Sequence, residues 1–150
     1  MAKKKHTRKS LILTSRGSGR RKIHYMSKLY RGKEHDYSIL KQEFPSNRAW
    51  FSDKKVLLDL GFQGFDDLYE TLEVWLPHKR KRVKKGLDNS LSEQQKQENK
   101  AQAQARIGVE HSIGGLKRFR IIYNQIRMKH QYDMDMILGI CAGLWNFLIC

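Results

Sequence analysis

The chain has 150 residues, enough for one domain with a buried core, and a net charge of 30 − 15 = +15 with a pI near 10. That excess repels itself unless a polyanion neutralises it, so nucleic acid or an anionic membrane surface is the expected partner. An apolar content of 39% with 10% aromatics excludes a wholly disordered basic tail.

The basic N-terminus, residues 1–10, is followed by no long apolar segment and does not read as a signal peptide. Residues 8–14 and 22–28 predict two strands, with Gly17 and Gly19 in a hairpin turn between them. After a polar link, Asp36 is placed to cap a short helix ending near Phe44-Pro45. Val56-Leu57-Leu58 has the look of a fully buried strand, ending in Asp59 and a turn through Gly61 and Gly64. Residues 66–71 predict one or two helical turns, and Val74-Trp75-Leu76 a further strand stopped by Pro77. Then the composition shifts to a basic loop, 78–90, which reads either as solvated or as a phosphate-contacting segment.

Ser90 and Glu93 have capping-box spacing. A long helix over 91–118 should follow, with Ala105, Val109, Ile113 and Leu116 inward and Gly114-Gly115 loosening its end. The last element, 133–149, carries Met134, Ile137, Leu138, Cys141, Leu144, Trp145 and Leu148 on one stripe. Its most apolar part, 136–150, is 15 residues long against the roughly 20 that cross a bilayer, so it reads as a core helix rather than an anchor. Cys141 and Cys150 have no chelating spacing, which excludes a disulfide scaffold or zinc ribbon and suggests a reducing compartment. The order of elements is α/β with a mixed sheet and flanking helices.

Chemistry centres on two carboxylates. Asp59 ends a strand, where ligand-facing residues sit in open α/β sheets, although alone it reads as a solvated side chain. Arg106, Glu110 and Lys117, four and seven residues apart, fall within about a 40° arc of a helix. The bland account is an i, i+4 ion pair. Together in a basic protein, Asp59 and Glu110 can hold Mg²⁺ or Mn²⁺ through oxygen, with Arg106 and Lys117 positioning a phosphate.

A resemblance supports this. Lys3-Lys4-Lys5-His6-Thr7, Gly32-Lys33-Glu34-His35-Asp36, Leu58-Asp59-Leu60-Gly61-Phe62-Gln63-Gly64, Leu76-Pro77-His78-Lys79, Leu91-Ser92-Glu93-Gln94-Gln95 and the stretch from Val109 to Arg120 occur in one order. In them the chain resembles the C-terminal portion of insertion-sequence transposases with an Asp-Asp-Glu triad. The resemblance implies a ribonuclease-H-like fold, with Asp59 as the second Asp and Glu110 as the Glu. It also implies an Arg, three residues, Glu, six residues, Lys pattern in Arg106, Glu110 and Lys117. Ala103 stands where that pattern often has a Tyr.

The first Asp is expected on a central strand upstream of Lys3, and no residue here matches it; Asp36, in a loop before a helix, is a poor substitute. The resemblance thus implies a catalytic portion lacking one strand and one ligand, marginally stable and weakly active alone. It would be a remnant, or one half of a protein split across two reading frames. DNA would be bound by Lys79, Arg80, Lys81, Arg82, Lys84, Lys85, Lys117, Arg118 and Arg120. Expected partners are mobile-element ends, target DNA, and an upstream-encoded fragment or further copies of the chain, in the nucleoid of a prokaryotic cytoplasm. A non-catalytic nucleic-acid-binding module is the competing reading.

Overall fold

The computed structural model describes residues 7–15, 21–80, 90–123, 128 and 130–150. They form a mixed α/β structure of six short strands and four helices, in the order β1 (Arg8–Lys9), β2 (Ile12–Thr14), β3 (Ile23–Met26), β4 (Tyr30–Arg31), α1 (Asp36–Glu43), β5 (Lys55–Leu57), β6 (Glu73–Trp75), α2 (Glu93–Lys117), α3 (Arg120–Tyr123) and α4 (Gln131–Leu148). Strand pairing among the described residues is confined to three two-stranded ladders. The chain divides into two compact units, one of residues 35–106 and one of residues 1–34 with 107–150.

In the unit of residues 35–106, α1 is capped by the His35 ring, whose Nδ1 accepts from the Tyr37 N–H at 3.3 Å. Asp36, predicted as the cap, is instead the first helical residue, where its charge suits the helix N-terminus. The helix buries Ile39 and Leu40 and closes at Phe44, whose N–H reaches the Leu40 carbonyl at 2.8 Å. Around Phe44 gather Phe51, Phe65 and Tyr69, with Phe51 centred 5.4–5.5 Å from each of the other three rings. Phe65 is fully buried, and the Tyr69 hydroxyl donates to the Phe44 carbonyl at 2.6 Å.

β5 and β6 pair in parallel, Lys55 opposite Glu73 and Leu57 opposite Trp75, and a Lys55–Glu73 ion pair at 2.7 Å reinforces the register. Val56 and Leu57 are only half-buried; Leu58, just past the strand, is buried. The predicted helix at 66–71 is a run of turns, in which both the Leu68 and Tyr69 N–H groups turn back to Phe65. Gly64 has φ +83°, a conformation open to glycine at low steric cost.

In the other unit, the predicted strand over 8–14 breaks at Ser10-Leu11 because hydroxyls replace the ladder there. The Leu11 N–H donates to Ser27 Oγ at 2.8 Å, and Ser10 Oγ donates to the Ser27 carbonyl at 2.7 Å. β2 and β3 pair antiparallel with an irregularity between Leu13 and Thr14. α4 packs on β3, and Ile23, Leu116, Cys141, Ala142 and Trp145 form a core, beside a smaller cluster of Leu29, Met134 and Leu138. The polar residues of this apolar helix have structural work: Asn146 pairs with both the N–H and the carbonyl of Ile23 at 2.8 Å, and Asp135 accepts from the Leu29 N–H at 2.7 Å. Leu144 and Leu148, predicted on the buried stripe, are exposed.

α2 also differs from expectation. Its capping box is Ser92 with Gln95, not Ser90 with Glu93: the Gln95 N–H donates to Ser92 Oγ at 3.2 Å and the Ser92 N–H to Gln95 Oε1 at 3.1 Å. The helix runs straight through Gly114 and Gly115. Gly115 is there for packing, since a Cβ at that position would overlap the Trp145 ring. The inward line in this part of the helix is Gly108, Ser112, Gly115 and Leu116, with Val109 and Ile113 only half-buried. Ser112 Oγ and the Trp145 indole N–H both donate to the Arg21 carbonyl, at 2.7 and 3.2 Å. Among the described residues no helix is long and apolar enough to cross a membrane.

Candidate functional site

Beyond β5, the Leu58 N–H still reaches the Trp75 carbonyl at 3.0 Å, and the chain then leaves the ladder at Asp59. Asp59 is extended, and its Oδ1 accepts the Leu60 N–H at 2.7 Å, capping a single 3₁₀ turn over Leu60–Phe62. That cap fixes the carboxylate at the strand end. Arg106, on α2, meets it as a fork, with Nη1 at 2.9 Å from Oδ1 and Nη2 at 3.0 Å from Oδ2. Bidentate guanidinium–carboxylate geometry of this kind is among the stronger charge-assisted contacts. The pair is not sealed off: the Asp59 side chain is 50% exposed and that of Arg106 33%.

The sequence reading named both residues but did not pair them. They lie 47 positions apart, and no local pattern links them. Glu110 is exposed, one turn further along α2, and Lys117 is exposed at its last residue. Both fall in the unit of residues 1–34 and 107–150. Among the described residues no group of three or more His, Cys, Asp or Glu side chains converges to hold a metal ion.

A second constellation ties the start of the basic loop to the first half of α2. Asn99 accepts the His78 N–H at 2.8 Å and donates to the His78 carbonyl at 3.1 Å, and Gln102 donates to the Leu76 carbonyl at 3.3 Å. The His78 ring contacts Glu98 at 2.5 Å, and Gln94 donates to the same carboxylate at 3.0 Å. The His78 and Gln94 hydrogen bonds hold the Glu98 carboxyl below its usual range. Sequence reasoning missed these four helix residues: in a stretch so rich in Gln, Glu and Asn, the ones facing a strand end look like the solvated ones. Lys79 and Arg80 follow directly and are exposed. Beside them opens a cleft of about 690 Å³ lined by Val74, Leu76, Pro77, His78, Lys79 and Arg80. Arg118 and Arg120 are exposed just after α2. Lys81, Arg82, Lys84 and Lys85 lie outside the described residues.

With this geometry in hand, comparison with known proteins decides the family. The family described as DDE superfamily endonuclease matches residues 1–146. The chain belongs to that superfamily. The resemblance to Asp-Asp-Glu transposases drawn from its motifs therefore holds at the level of the family. Over 118 residues the chain is 31% identical to a probable transposase for insertion sequence element IS702 from Microchaete diplosiphon, an alignment covering 78% of this chain and 38% of that protein. The chain thus spans well under half the length of this relative. No solved structure matches it. The observed mixed α/β structure is consistent with a DDE endonuclease domain.

Proposed function

We propose that the chain is a catalytic portion of a DNA transposase, contributing to metal-dependent cleavage and strand transfer of DNA phosphodiesters at mobile-element ends. The observation that carries the reading is Asp59, held by its own cap at the end of a strand and engaged by a guanidinium from the long helix that also bears Glu110. In this reading Asp59 and Glu110 are metal ligands in a ribonuclease-H-like fold, and Arg106 and Lys117 position the phosphate. What supports Mg²⁺ or Mn²⁺ is the donor type: Asp59 is a hard oxygen donor, half exposed, that already draws a cation in the form of Arg106, and the other ligands would come from Glu110 and the upstream carboxylate. Bound there, such an ion supplies activation of water and stabilisation of in-line attack.

The chain's own contribution is binding and orientation. Lys79, Arg80, Lys81, Arg82, Lys84, Lys85, Arg118 and Arg120 neutralise DNA phosphates, and binding should weaken steeply with salt. The third carboxylate of the triad is assigned to a strand upstream of Lys3, on the same polypeptide or on a partner fragment. The protein would then work in the nucleoid, alone or as an oligomer.

The test is nicking of supercoiled plasmid with Mg²⁺, by the chain alone and with a segment supplying a strand that ends in Asp. Little cleavage is expected alone, and cleavage with the segment should fall at least about a hundredfold in Asp59→Ala or Glu110→Ala. DNA binding should survive both changes. Cleavage indifferent to either carboxylate would refute the assignment.

A further inference from the structure

We infer that Arg106 is a positioning residue that occupies the cation seat of Asp59 in the resting protein, so that a divalent ion and the guanidinium compete for one carboxylate. The inference rests on the metal-ligand reading of Asp59 proposed above. A carboxylate offers about four lone-pair directions. On Oδ1 one is taken by the Leu60 N–H at 2.7 Å and another by Arg106 Nη1 at 2.9 Å; on Oδ2 one is taken by Nη2 at 3.0 Å. A single direction on Oδ2 is left, and the face of the carboxylate turned to Arg106 already holds a full positive charge. An ion can bind fully only when the fork withdraws.

The surroundings suit such an exchange. The Leu60 N–H bond is independent of Arg106, so the carboxylate keeps its aim when the guanidinium leaves. The pair is partly solvated, so water can take over its hydrogen bonds as the fork opens. A released guanidinium has the fork that matches a phosphate. Loading the ion would therefore free Arg106 for DNA, and DNA phosphate would in turn vacate the seat. A purely structural tie between α2 and the end of β5 predicts no tighter ion binding on its removal, because the strand end that carries the carboxylate then loosens as a whole.

Mn²⁺ binding to the whole chain, read from the electron paramagnetic resonance signal of free Mn²⁺, separates the two. Arg106→Gln should bind about fivefold more tightly than the parent protein at low salt. Arg106→Lys, which keeps the charge but loses the fork, should fall between them. Asp59→Asn and the Asp59→Asn/Arg106→Gln double variant should bind weakly and alike. Unchanged or weaker binding in Arg106→Gln, with a clear loss in Asp59→Asn, overturns the exchange and leaves the metal reading standing. Binding that Asp59→Asn leaves intact removes the metal reading and the inference with it. If circular dichroism shows Arg106→Gln unfolded, Arg106→Lys decides: binding no tighter than the parent overturns the proposal.

Discussion

The two units hold short strands in place by different means. In the unit of residues 35–106, a parallel pair of three-residue strands is joined by its own ladder and a Lys55–Glu73 ion pair, and the unit's apolar burial is concentrated in a separate cluster of Phe44, Phe51, Phe65 and Tyr69. In the unit of residues 1–34 and 107–150, helix side chains take the place of neighbouring strands. Asn146 satisfies both backbone groups of Ile23, Asp135 and Gln131 satisfy Leu29, and Ser112 and Trp145 satisfy Arg21. A strand of two to four residues leaves backbone donors and acceptors that must find partners when buried. Amides solve that problem by direct substitution for a missing ladder, whereas rings add non-directional burial and leave the backbone groups to the ladder itself.

That contrast can be broken at either end. The largest effect should come from Phe65→Ala, which empties a fully buried site between Phe51 and Tyr69. A loss of about 3–5 kcal/mol is expected in urea unfolding, with amide exchange accelerating first at Ile39, Leu40 and Leu58. A loss below about 1 kcal/mol would mean the rings are not the core of their unit. Asn146→Ala strands the N–H and carbonyl of Ile23 together and should cost about 1–3 kcal/mol, with exchange rising at Ile23 rather than at Leu40. An unchanged Ile23 amide would show that water replaces the side chain freely.

The smallest effect concerns Glu98, an exposed group whose carboxyl lies below its ordinary value of 4.5 because of the bonds from His78 and Gln94. A depressed carboxyl stabilises the fold fully above the ordinary value and loses that contribution as pH falls through the lowered one. The gap in Tm between the parent and Glu98→Gln should thus be present near neutral pH and close below about pH 4.5. A gap that widens in acid would reverse the sign of the pairing.

Much of the fold was legible because it follows from local rules. Periodicity located α4 to within a few residues, Pro77 marked the end of β6, and the apolar run before Asp59 marked β5. Boundaries failed where a side chain outcompeted a pattern: His35 took the cap from Asp36, Gln95 rather than Glu93 completed the capping box, and Ser27 broke the first strand. Gly115 misled in the same way, since a helix tolerates glycine when a Trp145 ring needs the space.

The sequence by itself determined the charge, the order of the longer elements and the motifs that place the chain among DDE superfamily endonucleases, since these depend on composition and short spacings. It also nominated Asp59 and Arg106 separately. Only the tertiary structure decided that the guanidinium of one closes on the carboxylate of the other, and that Asn99 and Gln102 hold the strand end ahead of Lys79 and Arg80. The reason is geometric. Pairings across 20 to 50 residues are fixed by how elements pack, and no periodicity along the chain records which side chains that packing brings within hydrogen-bonding distance.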